Sequence, residues 1–178
     1  HVEQTRVIAR RFDERYGRVD PAHPIFPEPE SLLSRSGTIL GLDGNKMSKS
    51  RGNTIELGMT ADETARLLKR AVTDSDRHIT YDPVNRPEVS NLVNIAAMCL
   101  ERVPEDVAEE IGDGGGGGLK KLATAAVNDH FAAHRARRAE LMADPGALRD
   151  VLRAGNERAN AVAETTLAEV RQAMSMDY

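Results

Sequence analysis

Tryptophan is absent from this 178-residue chain and aromatic residues make up only 3% of it, so the interior cannot be organised around large rings. Leu, Val, Ile, Ala and Met must fill it instead, a palette that favours helix packed on helix. Cysteine occurs once, at Cys99, which excludes an internal disulfide. On an apolar helical face, Cys99 is expected to be a small core residue, not a nucleophile or metal ligand. No apolar run approaches the ~20 residues that span a bilayer, and no charged-then-apolar leader is present, so a cytoplasmic protein with no membrane partner is expected. Excess positive charge is lacking as well. A net charge of -4 and a pI near 5.8 exclude a uniformly basic nucleic-acid coat, which leaves any RNA contact to a local patch. His1, His23, His78 and His130 do not fall at metal-ligand spacing, and no metal site is expected.

What the chain does contain is a short concentration of chemistry at Lys46-Met47-Ser48-Lys49-Ser50. Two lysines separated by small residues form a mobile clamp suited to a polyphosphate, because each ammonium is a compact point charge on a flexible stem. The flanks Gly41-Leu42-Asp43-Gly44-Asn45 and Arg51-Gly52-Asn53 are rich in turn formers, so the backbone there can close over a ligand. A plain solvated basic loop is the competing reading of such a cluster. A second basic group, His134-Arg135-Ala136-Arg137-Arg138, concentrates charge on a helix in an acidic chain. Arg135, Arg137 and Arg138 are candidates for contact with RNA phosphates, with a solvated helix face as the alternative. Asp74, Asp76 and Asp82 lie in a polar connector, where caps and turns suit them better than a cation site.

Apolar spacing predicts a first helix over residues 1 to 16, ended by Gly17, with Val2, Ile8, Ala9, Phe12 and Tyr16 on one face. Pro21, Pro24, Pro27 and Pro29 then forbid regular structure. Thr38-Ile39-Leu40, bounded by Gly37 and Gly41, reads as a brief strand leading into the lysine loop. Thr60-Ala61-Asp62-Glu63 is a capping box opening the next helix. Pro87 and Pro104 begin two more. Gly114 to Gly118 reads as a flexible spacer, followed by one long helix from Leu119 to Met142. After Asp144-Pro145-Gly146, the stripe Leu148, Leu152, Gly155, Ala159, Val162, Thr166 and Val170 reads as a core-facing seam. The chain is thus expected to be mainly α, with an all-helical bundle from about residue 74 onward attached to the tail of an α/β unit. An uncapped helix at its start suggests the later part of a longer protein.

The pentapeptide resembles the second signature of class I aminoacyl-tRNA synthetases. Arg86-Pro87-Glu88-Val89-Ser90-Asn91-Leu92-Val93-Asn94-Ile95 is similar to a segment of bacterial tryptophanyl-tRNA synthetases. So, in the same order along nearly the whole chain, are His1-x-Glu3-x-Thr5-Arg6, Ala71-Val72-Thr73-Asp74-Ser75 and Glu157-Arg158-Ala159-Asn160. The resemblance implies a division into residues 1–73, the end of a Rossmann-type ATP domain, and residues 74–178, a helical region that recognises the tRNA anticodon. It implies that Lys46 and Lys49 act in catalysis on the ATP phosphates, that Met47, Ser48 and Ser50 complete the ATP loop, and that Ile39 and Leu40 run past the adenine. Magnesium would arrive with the ATP. Tryptophan, tRNA(Trp) and a second copy of the chain are the implied partners. The family's first signature, His-x-Gly-His, does not occur in this sequence. Arg51-Gly52-Asn53 departs from the family's usual Asp-Pro-Asn and is closer to synthetases for methionine, valine or leucine. A tyrosyl-like or other class I synthetase, or a non-catalytic helical RNA-binding module, therefore stays open.

Overall fold

Proline and capping residues set most of the helix starts. In the computed structural model, which describes residues 1–17, 22–33 and 38–176, α1 spans Val2–Tyr16, α2 Ala61–Arg70, α3 Pro87–Leu100, α4 Pro104–Ile111, α5 Gly115–His130, α6 Ala132–Ala143 and α7 Pro145–Ala173. Pro occupies the first helical position of α3, α4 and α7, where its missing N–H has no helical partner to lose. The capping box of α2 is complete: Thr60 Oγ1 accepts from the Glu63 amide at 3.2 Å, and the Glu63 carboxylate accepts from the Thr60 amide at 2.8 Å.

The chain divides into two compact units, one of residues 1–34 and 144–178, the other of residues 35–143. This is a partition by packing, whereas the boundary expected at residue 73 is one of roles. In the first unit, the Asp13 carboxylate of α1 accepts the amides of Ile25 and Phe26 at 3.0 and 3.2 Å, and the Phe12 ring meets that of Phe26 edge-on at 4.9 Å. Arg10 grips Glu28 through two hydrogen bonds of 2.9 and 2.7 Å. The proline-rich return therefore folds back on α1 without regular structure, as its composition predicts. Pro21 of that return lies outside the described residues, as does Gly37 before the expected strand. Helix α7 differs from expectation. None of its residues is buried, and Leu152 and Val162 are 66% and 69% exposed, so the seam along this helix is a surface and not core.

The second unit holds the core. Leu68 and Ala71 of the α2 region, Ile79, Val89, Leu92, Val93, Ala96 and Ala97 of the connector and α3, Val107 and Ala108 of α4, and Leu119, Ala123, Ala126 and Val127 of α5 form one apolar cluster. Helix α5 is central, packing on both α2 and α3. The connector into α3 is fastened by Arg86, whose guanidinium donates to both Asp74 carboxylate oxygens, to the His78 carbonyl and to Thr80 Oγ1. Asp74, Asp76 and Asp82 each accept a backbone amide two residues ahead, the turn role their setting suggests.

Three local expectations are corrected. Thr38 to Leu40 is not a strand: no strand occurs among the described residues, and Leu40 makes only an isolated antiparallel bridge to Lys46. The glycine run is not a spacer, because Gly115 to Gly118 form the first turn of α5. A side chain at Gly116 would bring its Cβ to 2.8 Å from Thr73 Oγ1, so the close approach of the connector after α2 favours glycine there. The long helix expected from Leu119 to Met142 breaks at Phe131, whose backbone leaves the helical region while its side chain packs against the core.

Candidate nucleotide site

The lysine loop hangs from one buried amide. Asn53 is 6% exposed; its Nδ2 donates to Asp43 Oδ1 at 2.7 Å and to the Lys46 carbonyl at 3.2 Å, while its Oδ1 accepts the Ser48 amide at 2.8 Å. The Asn53 carbonyl also accepts from the Leu42 amide at 2.9 Å. A buried amide with all of these partners fixes the loop's base without adding charge. Gly41 is required beside it, since a Cβ there would stand 2.1 Å from Asn53 Nδ2. The Asp43 carboxyl is held below the usual carboxylate range, first by the Asn53 side chain and then by the Asn45 amide, so it remains ionised as an acceptor. Gly44 and Gly52 adopt φ of 78° and 62°, the left-handed turns that suit glycine.

Above this base the loop is open. Lys49 to Arg51 form a single 3-10 turn, and the Ser48 and Ser50 hydroxyls lie 2.8 Å apart. Lys46, Lys49 and Ser50 are exposed, and neither lysine is ion-paired within the described residues. Unpaired ammonium groups on a loop braced from beneath are free to meet an anion. Leu40 enters the loop with its backbone fixed by Asn91 of α3: the Asn91 side chain accepts the Leu40 amide at 2.8 Å and donates to the Leu40 carbonyl at 3.0 Å. The loop's other tie is the Val72 amide, which donates to the Leu42 carbonyl at 2.8 Å. Asn53 and Asn91 are thus positioning residues that reading the lysines alone overlooks. The available signal was asparagine at the loop's last position and within an apolar helical run.

Ile39, Leu40 and Met47 line a cavity of about 370 Å³ with Ile95, Cys99 and Phe131. Three of the residues expected at the nucleotide therefore share one apolar recess. Cys99 is half-buried, and burial raises its thiol pKa, which keeps it un-ionised and matches the expectation of an inert thiol.

The basic trio of α6 is divided. Arg137 and Arg138 are exposed, and Arg137 pairs with Glu140 at 2.9 Å. Arg135 is half-buried and turned inward: Nε donates to the Met59 carbonyl at 3.0 Å, Nη1 to the Asn128 carbonyl at 3.3 Å and Nη2 to Thr64 Oγ1 at 3.1 Å. Its guanidinium is occupied by the protein itself.

The loop that presents these two exposed lysines carries Lys46-Met47-Ser48-Lys49-Ser50, the pentapeptide that resembles the second signature of class I aminoacyl-tRNA synthetases. Residues 1–132 match the family described as tRNA synthetases class I (W and Y), and the chain belongs to that family. Among curated proteins it is 38% identical, over 97% of its length, to the tryptophan–tRNA ligase of Thermosynechococcus vestitus, and 34% identical, over 99%, to tryptophan–tRNA ligase 1 of Streptomyces coelicolor. It covers 54% and 52% of those two proteins, so the chain spans about half the length of the curated relatives it matches. Its fold is similar to that of the crystal structure of tryptophanyl-tRNA synthetase from Campylobacter jejuni complexed with ADP and tryptophan, with a TM-score of 0.67 and 27% identity over 98% of this chain and 53% of that one. The tryptophanyl-tRNA synthetase of Mycoplasma pneumoniae shares the fold at a TM-score of 0.75 and 22% identity, again across 98% of this chain and 53% of that one.

Proposed function

We propose that this chain is the part of a tryptophan–tRNA ligase that carries the ATP-clamping loop and the helical tRNA-recognition region. The observation that carries the reading is the loop itself, anchored by Asn53 and Leu42 while Lys46 and Lys49 stand exposed at its surface, without an ion pair among the described residues. In this role the two ammonium groups hold the triphosphate. They offset charge as the tryptophan carboxylate attacks the α-phosphorus and the bond to pyrophosphate breaks, leaving tryptophanyl-adenylate. A hydroxyl of the terminal tRNA ribose then takes the aminoacyl group and releases AMP. Such chemistry depends on positioning and electrostatic stabilisation more than on covalent participation.

Ile39, Leu40 and Met47 would border the adenine from the apolar recess, and Ser48 and Ser50 would donate neutral hydrogen bonds to phosphate oxygens. Magnesium fits as a companion of the triphosphate. The one carboxylate between Gly41 and Asn53 is Asp43, already tied to Asn53 and Asn45, so this loop provides no dedicated cation cage. Residues 1–73 would close the catalytic domain and residues 74–178 would meet tRNA(Trp), with the exposed Arg137 and Arg138 available to its phosphates. The tryptophan pocket would belong to the rest of the protein, which would act as a cytoplasmic homodimer.

The test is amino-acid-dependent ATP–pyrophosphate exchange by the complete polypeptide. Tryptophan is expected to drive exchange and tyrosine or methionine to leave it at background. Exchange driven by another amino acid would reassign the substrate, and none with any amino acid would refute the enzymatic reading.

A further inference from the structure

We infer that Arg135 is a positioning residue for amino-acid activation: it fixes the exit of the lysine loop from inside the helical unit, and it is not a tRNA ligand. All three guanidinium nitrogens are committed within the protein, to the Met59 carbonyl, the Asn128 carbonyl and Thr64 Oγ1. Met59 and Thr64 flank the start of α2, the first helix after the loop. Asn128 strengthens the same grip, its side-chain amide donating to the Ala61 carbonyl at 3.2 Å. The elbow between α5 and α6 thus holds the first turn of α2 at three points.

The other end of α2 is tied to the loop's entrance, since the Val72 amide donates to the Leu42 carbonyl. Leu42 and Met59 are therefore two fixed posts, and the stretch bearing Lys46 and Lys49 is slung between them. Releasing Met59 would lengthen the unsupported exit from Asn53 and let the lysines drift from the position at which they meet the triphosphate. The break at Phe131 matters here. The Phe131 carbonyl accepts the Arg135 amide at 2.9 Å as the first turn of α6 begins, and the Arg135 side chain from that turn reaches the start of α2.

The planar fork of arginine suits three acceptors in different directions, whereas a lysine ammonium is a single point that cannot reproduce the span. Thr64 is fully buried, so its hydroxyl is an acceptor only the protein reaches. Turning the fork outward to a phosphate would give up these three bonds, and the Nη2 bond reaches the buried Thr64 hydroxyl.

The inference rests on the reading of the lysine loop as the ATP clamp, and its test separates the two. In the complete enzyme, Arg135→Gln is expected to lower kcat for ATP–pyrophosphate exchange about tenfold per active site, with the KM for tryptophan unchanged, because the displaced lysines act on the triphosphate and not on the amino acid. The salt dependence of tRNA binding is expected to stay as in the parent. Thr64→Val should act in the same direction more weakly, and the double variant should lose less than the product of the singles. If Arg135→Gln fails to fold, Arg135→Lys takes its place and is expected to fall short of the parent's kcat. Full kcat per folded active site in the variant, or a flattened salt slope for tRNA with normal exchange, overturns the inference. Failure of the underlying reading has a different signature: exchange that persists when Lys46 and Lys49 are both alanine.

Discussion

Asn53 Nδ2 donates to Asp43 Oδ1 at 2.7 Å, a neutral amide joined to an ionised carboxylate across the base of the loop. The pair sets which change the loop cannot absorb. Asn53→Asp keeps the acceptor used by the Ser48 amide but removes both donors and places a second carboxylate against the first. With Asn53 buried, the cost is expected to be about 1–3 kcal/mol, the scale of a buried polar group left unsatisfied. Thermal unfolding would measure it, and faster amide exchange at Leu42 and Ser48 would localise it. Unchanged stability and protection would show that the loop is not organised by this residue.

Thr60→Ala is expected to destabilise the second unit by about 1 kcal/mol, because the alanine cannot cap the Glu63 amide. The check is chemical denaturation of the variant against the parent at neutral pH. Equal midpoints would mean that the grip of Asn128 and Arg135 alone holds the start of α2.

Acid should weaken the protein in a defined direction. Asp74, Asp82 and Glu63 have pKa values lowered in the folded state, chiefly by hydrogen bonds from Arg86, from the Asn85 side chain and from the Thr60 amide, respectively. A folded-state pKa below the unfolded one contributes stability that is present above the unfolded value and lost as pH falls through the folded one. The melting temperature is therefore expected to hold from neutrality down to the ordinary carboxylate range and to drop below it, with a shallower drop in Asp74→Asn. A melting temperature that rises on acidification through that range would contradict the assignment.

Residue chemistry made some elements legible and hid others. The capping box at Thr60 and the prolines at 87 and 104 are local signals, and each helix began where those signals stood. The glycines before Leu119 misled because their low helix propensity is also local, whereas what decides the outcome is the close approach of Thr73 to Gly116 and the burial of Leu119 in the core. The strip on α7 has helical spacing whether or not anything covers it, so periodicity alone could not separate core from surface. At the site, the turn formers around Lys46 and Lys49 announced an exposed loop, but Arg135 could not be told from Arg137 and Arg138. Which arginine turns inward depends on the break at Phe131 and on acceptors 71 and 76 residues away in the chain.

In the proposed role, two ammonium groups on a braced loop stabilise the charge released as ATP is cleaved. The most direct measurement is the single-turnover rate of aminoacyl-adenylate formation by the complete polypeptide with Lys46→Ala, Lys49→Ala and both. Each single replacement is expected to slow the step about 10²- to 10³-fold, the usual loss when one aimed charge is removed from such a transition state, with the protein still folded. Adenylate formed at the parental rate by the double variant would contradict the account.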